Sequence, residues 1–226
     1  EQFCINIEEL ASTIETRTLD AMNSELSEYR QKYKQLSTLP RKQTEQLQTR
    51  YEAALNLIKQ AIAIQENKQV LIEWEEVQRK STVCRAYYHN AQTGIEPDQN
   101  AEDINFDSKV KLPKPIETAL KSLWISIKAG SLKNDTIITV EQARSLCIGC
   151  EVAAGLDSPE QDKELRMQLQ VNRLTIGMSS SNEHQSREAQ LNELLMEWYL
   201  KVGPSIEDIA SFDERIDTAT KHLLGT

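Results

Sequence analysis

Apolar residues recur every three to four positions along almost the whole of this chain, and that period decides what it can fold into. A 3.6-residue repeat puts side chains on one helix face, whereas a half-buried strand alternates. From Phe3 to Leu36 the stripe is Ile7, Leu10, Ala11, Ile14, Ala21, Met22, Tyr29, Tyr33 and Leu36, weaker near Arg17 and Thr18. Pro40 breaks it, because proline disfavours helix in the residue before it and suits a new first turn. A second stripe, Leu47, Tyr51, Ala54, Leu55, Ile58, Ala61 and Ile62, runs from about Arg41 to Asn67; a third, Leu71, Trp74, Val77, Ser81, Cys84 and Tyr88, runs from about Lys68 to Ala91. At Asn67 two readings stand: a turn, or one longer helix running straight through.

Thr93 to Pro113 is different. It holds Gly94, Pro97 and Pro113, and its acids Glu96, Asp98, Glu102, Asp103 and Asp107 precede the first base, Lys109. Turn residues in an unopposed acidic run predict a flexible linker that proteases cut first. It divides the chain into an N-terminal helical subdomain, 1–92, a linker, 93–113, and a C-terminal helical subdomain, 114–226.

The C-terminal part has clear helix signals. Pro115 opens a helix that Gly130 ends, and Thr139-Val140-Glu141-Gln142 reads as a capping box for a helix stopping at Gly155. Ser158-Pro159-Glu160-Gln161 reads as an N-cap, a first-turn proline and first-turn acid of a helix reaching Met178. Two more helices follow, about Glu183 to Val202 and Ser205 to Leu224, separated by Gly203-Pro204. The expected fold is all-α: an array or bundle of about seven or eight amphipathic helices in helical-hairpin repeats, with no sheet beyond a two-residue bridge near Ile137. Only 7 Gly and 6 Pro among 226 residues agree with this, as does 5% aromatic content, low for a β fold.

Two stretches align at an offset of 165: Tyr33 with Trp198, Leu47 with Phe212, and Arg50-Tyr51-Glu52-Ala53-Ala54 with Arg215-Ile216-Asp217-Thr218-Ala219. Ile116-Glu117-Thr118-Ala119-Leu120 is a fainter third copy. Such units stack to bury faces none could bury alone; the other explanation is two similar hairpins matching by chance. Trp198, Gly203-Pro204 and Arg215-Ile216, with the stretch from Arg144 to Glu151 and Gln170-Val171-Asn172-Arg173-Leu174, resemble the C-terminal portion of longer members of bacterial domain-of-unknown-function family 349, a helical repeat with a Trp and Arg-Phe signature. The resemblance covers residues 115–226 and, more weakly, 28–92. Ile216 stands where the family has Phe, and Gly149-Cys150 where a base and a small residue are expected. Membership implies a bacterial, mostly helical protein and no reaction.

Chemistry-bearing residues are sparse. Cys147-x-x-Cys150 lacks a second ligand pair for zinc and sits mid-helix, not at the dipole-activated start that redox pairs use, so it reads as inert core. Cys4, Cys84 and the three histidines are isolated, and no catalytic motif is present. Neither a metal nor a cofactor is expected, nor catalytic residues. The net charge of −9 disfavours a surface that grips nucleic acid globally. A local patch of Arg30, Lys32, Lys34, Arg41 and Lys42, interleaved with Tyr29 and Tyr33, is the candidate for phosphates and bases. Its alternative is that the tyrosines pack inward while the cations stay wet.

The helix after Pro159 carries Met167, Val171, Leu174 and Met178 on one side and Leu165, Leu169 and Ile176 on the other, which predicts a central helix buried on two faces. Between them runs a polar stripe of Arg166, Gln170, Arg173 and Gly177, and Arg144 and Glu151 on the preceding helix are counted with it as a candidate interaction stripe. An internal salt-bridge network with Glu151 or Glu141 is the first reading of this stripe, an anionic ligand site the second. The expected function is a non-enzymatic helical scaffold binding another protein; the alternative is a nucleic-acid- or ribosome-associated factor. No run of about 18 apolar residues encodes a membrane span, and scattered cysteines suit a cytoplasmic setting. A start at Glu1 instead of Met is expected of a fragment or processed form.

Overall fold

The computed structural model describes residues 2–13, 17–35, 41–94, 109–179, 186–203 and 205–225, and their regular structure is helical. Eight α-helices occur among them: α1 (Gln2–Ser12), α2 (Leu19–Gln35), α3 (Arg41–Thr93), α4 (Lys114–Lys128), α5 (Val140–Ala154), α6 (Lys163–Ser179), α7 (Arg187–Tyr199) and α8 (Ile206–Leu224). Short 3-10 turns precede α5 and α6. The bridge expected near Ile137 is a single parallel pairing with Val202.

The helix starts follow local chemistry. Thr139 and Gln142 form the reciprocal capping box, and Gly155 closes α5 at φ 76°, a backbone state that side chains with a Cβ rarely adopt. Ser186 and Ser205 cap α7 and α8 by accepting the amides of Ala189 and Asp208. Gly203 is required more strictly: at φ 82°, a Cβ there would lie 2.8 Å from the Ile138 carbonyl oxygen.

The helices differ from the sequence expectation in three places, and at Asn67 one of the two open readings holds. The helix expected over Phe3–Leu36 is two, α1 and α2; the weak patch at Arg17 and Thr18 is a break, and the two helices bury Ile7 and Leu10, Met22 and Leu26 in one cluster. At Asn67 the continuous alternative holds, since α3 runs unbroken for 53 residues without Gly or Pro. Ser158 does not cap α6. A 3-10 turn, Glu160–Asp162, comes first, and the Ser158 hydroxyl is turned toward Glu151. Finally the described part of α6 is not central: Met167 is 65% and Val171 54% exposed, and no described α6 side chain is fully buried. That place belongs to α5, seven of whose 15 residues are buried. Its Ala143, Cys147, Cys150, Ala153 and Ala154 are small enough to admit neighbours closely, and α7 and α8 pack on it.

By contacts the chain forms two compact units, Glu1–Gln69 and Val70–Thr226. The first holds α1, α2 and the beginning of α3 around Ile7, Leu10, Met22, Leu26, Tyr51, Ala54, Ile58 and Ile62. In the second, Trp74 and Val77 of α3 join a core with α4, α5, α7 and α8, and Cys84 joins Leu123, Trp124, Ile127 and Val202. The division between these units falls inside α3, where Val70, Leu71, Trp74 and Val77 pack with the C-terminal helices. Most of the acidic linker expected at 93–113, residues 95–108, lies outside the described residues.

Candidate functional site

One residue of the polar stripe, Arg166, belongs to a cluster centred on Glu151. This carboxylate is 4% exposed on α5 and receives Arg215 of α8 through two parallel bonds, Nε to Oε1 at 2.8 Å and Nη2 to Oε2 at 3.0 Å. Ser158 donates its hydroxyl to Glu151 and accepts Arg166 Nη1 at 3.0 Å. Arg166 thus reaches Glu151 through a serine. Asp162, with no exposure, lies between Arg144 Nε at 2.9 Å and Arg215 Nη2 at 2.8 Å. Burial disfavours the Arg215 charge, but its bonds to Glu151 and Asp162 outweigh this and hold it protonated. Of the residues singled out from sequence, Arg144, Glu151 and Arg166 come together here. Gln170 is exposed, the Arg173 side chain lies outside the described residues, and Glu141 sits at the exposed start of α5.

Asp162 and Arg215 were not among the candidates. Arg215 had a signal, its place in the Arg-x-acid-x-Ala repeat. Its counterpart Arg50 makes the same fork to Glu8, Nε to Oε1 at 2.8 Å and Nη2 to Oε2 at 2.7 Å. Asp162 had none, hidden behind the apparent N-cap at Ser158.

A second buried cluster, also not anticipated, closes the C-terminal end of α7. Arg85 of α3 is 4% exposed; it donates to the carbonyls of Trp198 at 2.7 Å and Lys201 at 3.1 Å and pairs with Asp213 at 3.3 Å. Its guanidinium lies 4.2 Å from the Trp198 ring centroid, and Trp198 Nε1 donates to Asp213 Oδ1 at 2.6 Å. Ser81, one turn earlier on α3, donates to the Tyr199 carbonyl at 2.7 Å. Helix C-termini leave carbonyls without intrahelical partners; here another helix supplies the donors. Desolvation lowers the Arg85 pKa, with Asp213 opposing it.

The cysteines behave as expected of core. Burial pushes the Cys84 and Cys147 thiols up to about 12 and raises Cys150 as well, so they stay protonated near neutrality. Cys4 lies outside the residues whose side chains are described. Among the described residues no group of three or more His, Cys, Asp or Glu could hold a metal ion.

On α2, Tyr33 stacks on Tyr51 with centroids 4.0 Å apart and planes at 3°. Lys32 pairs with Glu28 at 3.5 Å and lies 5.4 Å from the Tyr29 ring centroid. Arg30 and Lys34 are exposed; the side chains of Arg41 and Lys42 lie outside the described residues. A groove of about 790 Å³ beside Lys32 is lined also by Glu9, Arg17, Glu25 and Glu28, so its charge is mixed. A smaller groove, about 470 Å³, lies between the Ile137 bridge and α5, with Asp135, Glu141, Glu197 and Lys201 on its walls. No described helix is long and apolar enough to cross a membrane.

No family model matches the chain, and neither a curated protein nor a solved structure does.

Proposed function

We propose that this protein is a non-enzymatic helical scaffold that binds another protein through α6. The observation that carries this reading is the apolar side of α6: Met167 and Val171, one turn apart, are 65% and 54% exposed on a helix whose other side meets α5. Exposed apolar side chains in a helical row fit an apolar face of a partner helix. The buried ionisable groups support a structural role, because Glu151, Asp162, Arg85 and Arg215 are each matched by opposite charge. The proposed place in the helical-repeat family 349, and with it a bacterial, cytoplasmic setting, agrees with this reading and adds no reaction to it.

The test is capture from bacterial lysate by the immobilised chain and by a Met167→Asp, Val171→Asp double variant, each with and without nuclease. A protein held by the parent, lost by the variant and indifferent to nuclease supports the scaffold. Recovery that nuclease abolishes, and that Arg30→Ala with Lys34→Ala weakens while the α6 variant does not, overturns it in favour of a nucleic-acid factor.

A further inference from the structure

The two compact units share a pattern of contacts that sequence identity barely shows. In the first, Arg50 of α3 forks onto Glu8 of α1; in the second, Arg215 of α8 forks onto Glu151 of α5 with the same nitrogens. Near the end of α2, Tyr33 stacks on Tyr51 of α3; near the end of α7, Trp198 meets Phe212 of α8 edge-on, one helical turn before the position that matches Tyr51. One residue before each acid is buried, Ile7 and Cys150, and two after it, Leu10 and Ala153. The trios α1, α2, α3 and α5, α7, α8 therefore correspond helix by helix. The Glu-to-Arg spacing does not: 42 residues in the first unit and 64 in the second, a difference of 22. The excess lies between α5 and α7, where α6 stands.

The way α6 is attached agrees with this. Its described part adds no side chain to the apolar cores, and Leu165 and Leu169 are half-buried at most. Among the described residues its polar anchors lie at its start: Asp162, just before its first residue, between Arg144 and Arg215, and Arg166 on Ser158. Arg215 has two bonds to Glu151 besides its pairing with Asp162. In the first unit the equivalent pair lies open, Arg50 44% and Glu8 41% exposed, against 19% for Arg215 and 6% for Glu151.

We propose that α6 is a helix inserted into a three-helix module used twice in this chain, and that it is a detachable arm latched by Asp162. Undocking breaks the Asp162 pairs and, among the described residues, uncovers two half-buried leucines; the α5, α7 and α8 core stays closed. Such a local opening lies well below the cost of global unfolding. This holds whether or not α6 binds a partner.

Hydrogen–deuterium exchange on the full chain tests it, with Asp162→Asn as the latch variant and Glu164→Gln as an exposed control. Parent α6 amides are expected to exchange at least about tenfold faster than those of α5 and α8, as a sub-global opening requires. Asp162→Asn should accelerate α6 by about a further tenfold while α5 and α8 keep their protection, with Glu164→Gln unchanged. Exchange of α6 and α8 at one common rate in the parent overturns the proposal. So does parallel acceleration of α5, α6 and α8 by Asp162→Asn. A second variant, deletion of residues 160–181, restores the 42-residue spacing and should melt in a single cooperative transition; a deletion that leaves α5, α7 and α8 unfolded overturns the insertion.

Discussion

Arg215 stands between two buried carboxylates and pairs with both. Its replacement by Ala leaves Glu151 and Asp162 without that charge, and breaking a buried pair from one side costs about 3 kcal/mol. Urea unfolding of Arg215→Ala should read that loss; Arg215→Lys should recover only part, because a point charge cannot fork onto a carboxylate. Arg166 touches Glu151 only through Ser158, so Arg166→Ala should cost less, about 1 kcal/mol. An Arg166→Ala loss equal to that of Arg215→Ala would contradict this order. The thiols give a second residue-scale expectation. Burial raises Cys84 and Cys147 from an ordinary value near 9 to about 12, so each stays protonated in the fold while the unfolded chain already ionises. Their contribution is therefore fully present below pH about 9 and declines as pH rises toward 12. Iodoacetamide at pH 8 should leave Cys84, Cys147 and Cys150 unlabelled in the native protein and label them on unfolding, read by mass spectrometry.

At the scale of elements, the end of α7 depends on α3. Ser81→Ala should cost about 1 kcal/mol by leaving the buried Tyr199 carbonyl without its donor. Gly203→Ala should cost about 2 kcal/mol or more, since a positive φ and a carbonyl at 2.8 Å both oppose a Cβ; an unchanged melting temperature would refute it. Helix identity was legible in the sequence because 3.6-residue periodicity and caps such as Thr139 and Gly155 are local signals. The break before α2 was harder to read, because the apolar stripe resumes in phase at Ala21 and Met22. Placement of α6 failed for a different reason. Two apolar stripes describe a helix's faces, and nothing in them says how many neighbours arrive to cover them. The site was half legible on the same grounds. Arg144, Glu151 and Arg166 lie on adjoining helices, whereas Arg215 comes from 64 residues beyond Glu151 and Arg85 from 128 residues before Asp213.

The whole molecule is two units whose cores are separately closed, Glu1–Gln69 and Val70–Thr226. The second contains the Glu151 and Arg85 clusters and its own apolar core, so a fragment of residues 70–226 should fold alone and melt cooperatively by circular dichroism. Loss of the cooperative transition on removing residues 1–69 would refute that. The seat of Arg85 also orders events in time. Its partners lie far along the chain: the carbonyls of Trp198 and Lys201 are 113 and 116 residues later, and Asp213 is 128. A chain emerging from its N-terminus must carry this guanidinium in water until nearly all of the second unit exists. Contacts that close such long loops form late, after the entropy of closure has been spent. Arg85 therefore acts as a clasp on the finished fold and not as a nucleus, and removing it should hasten unfolding while leaving the folding rate nearly as it was.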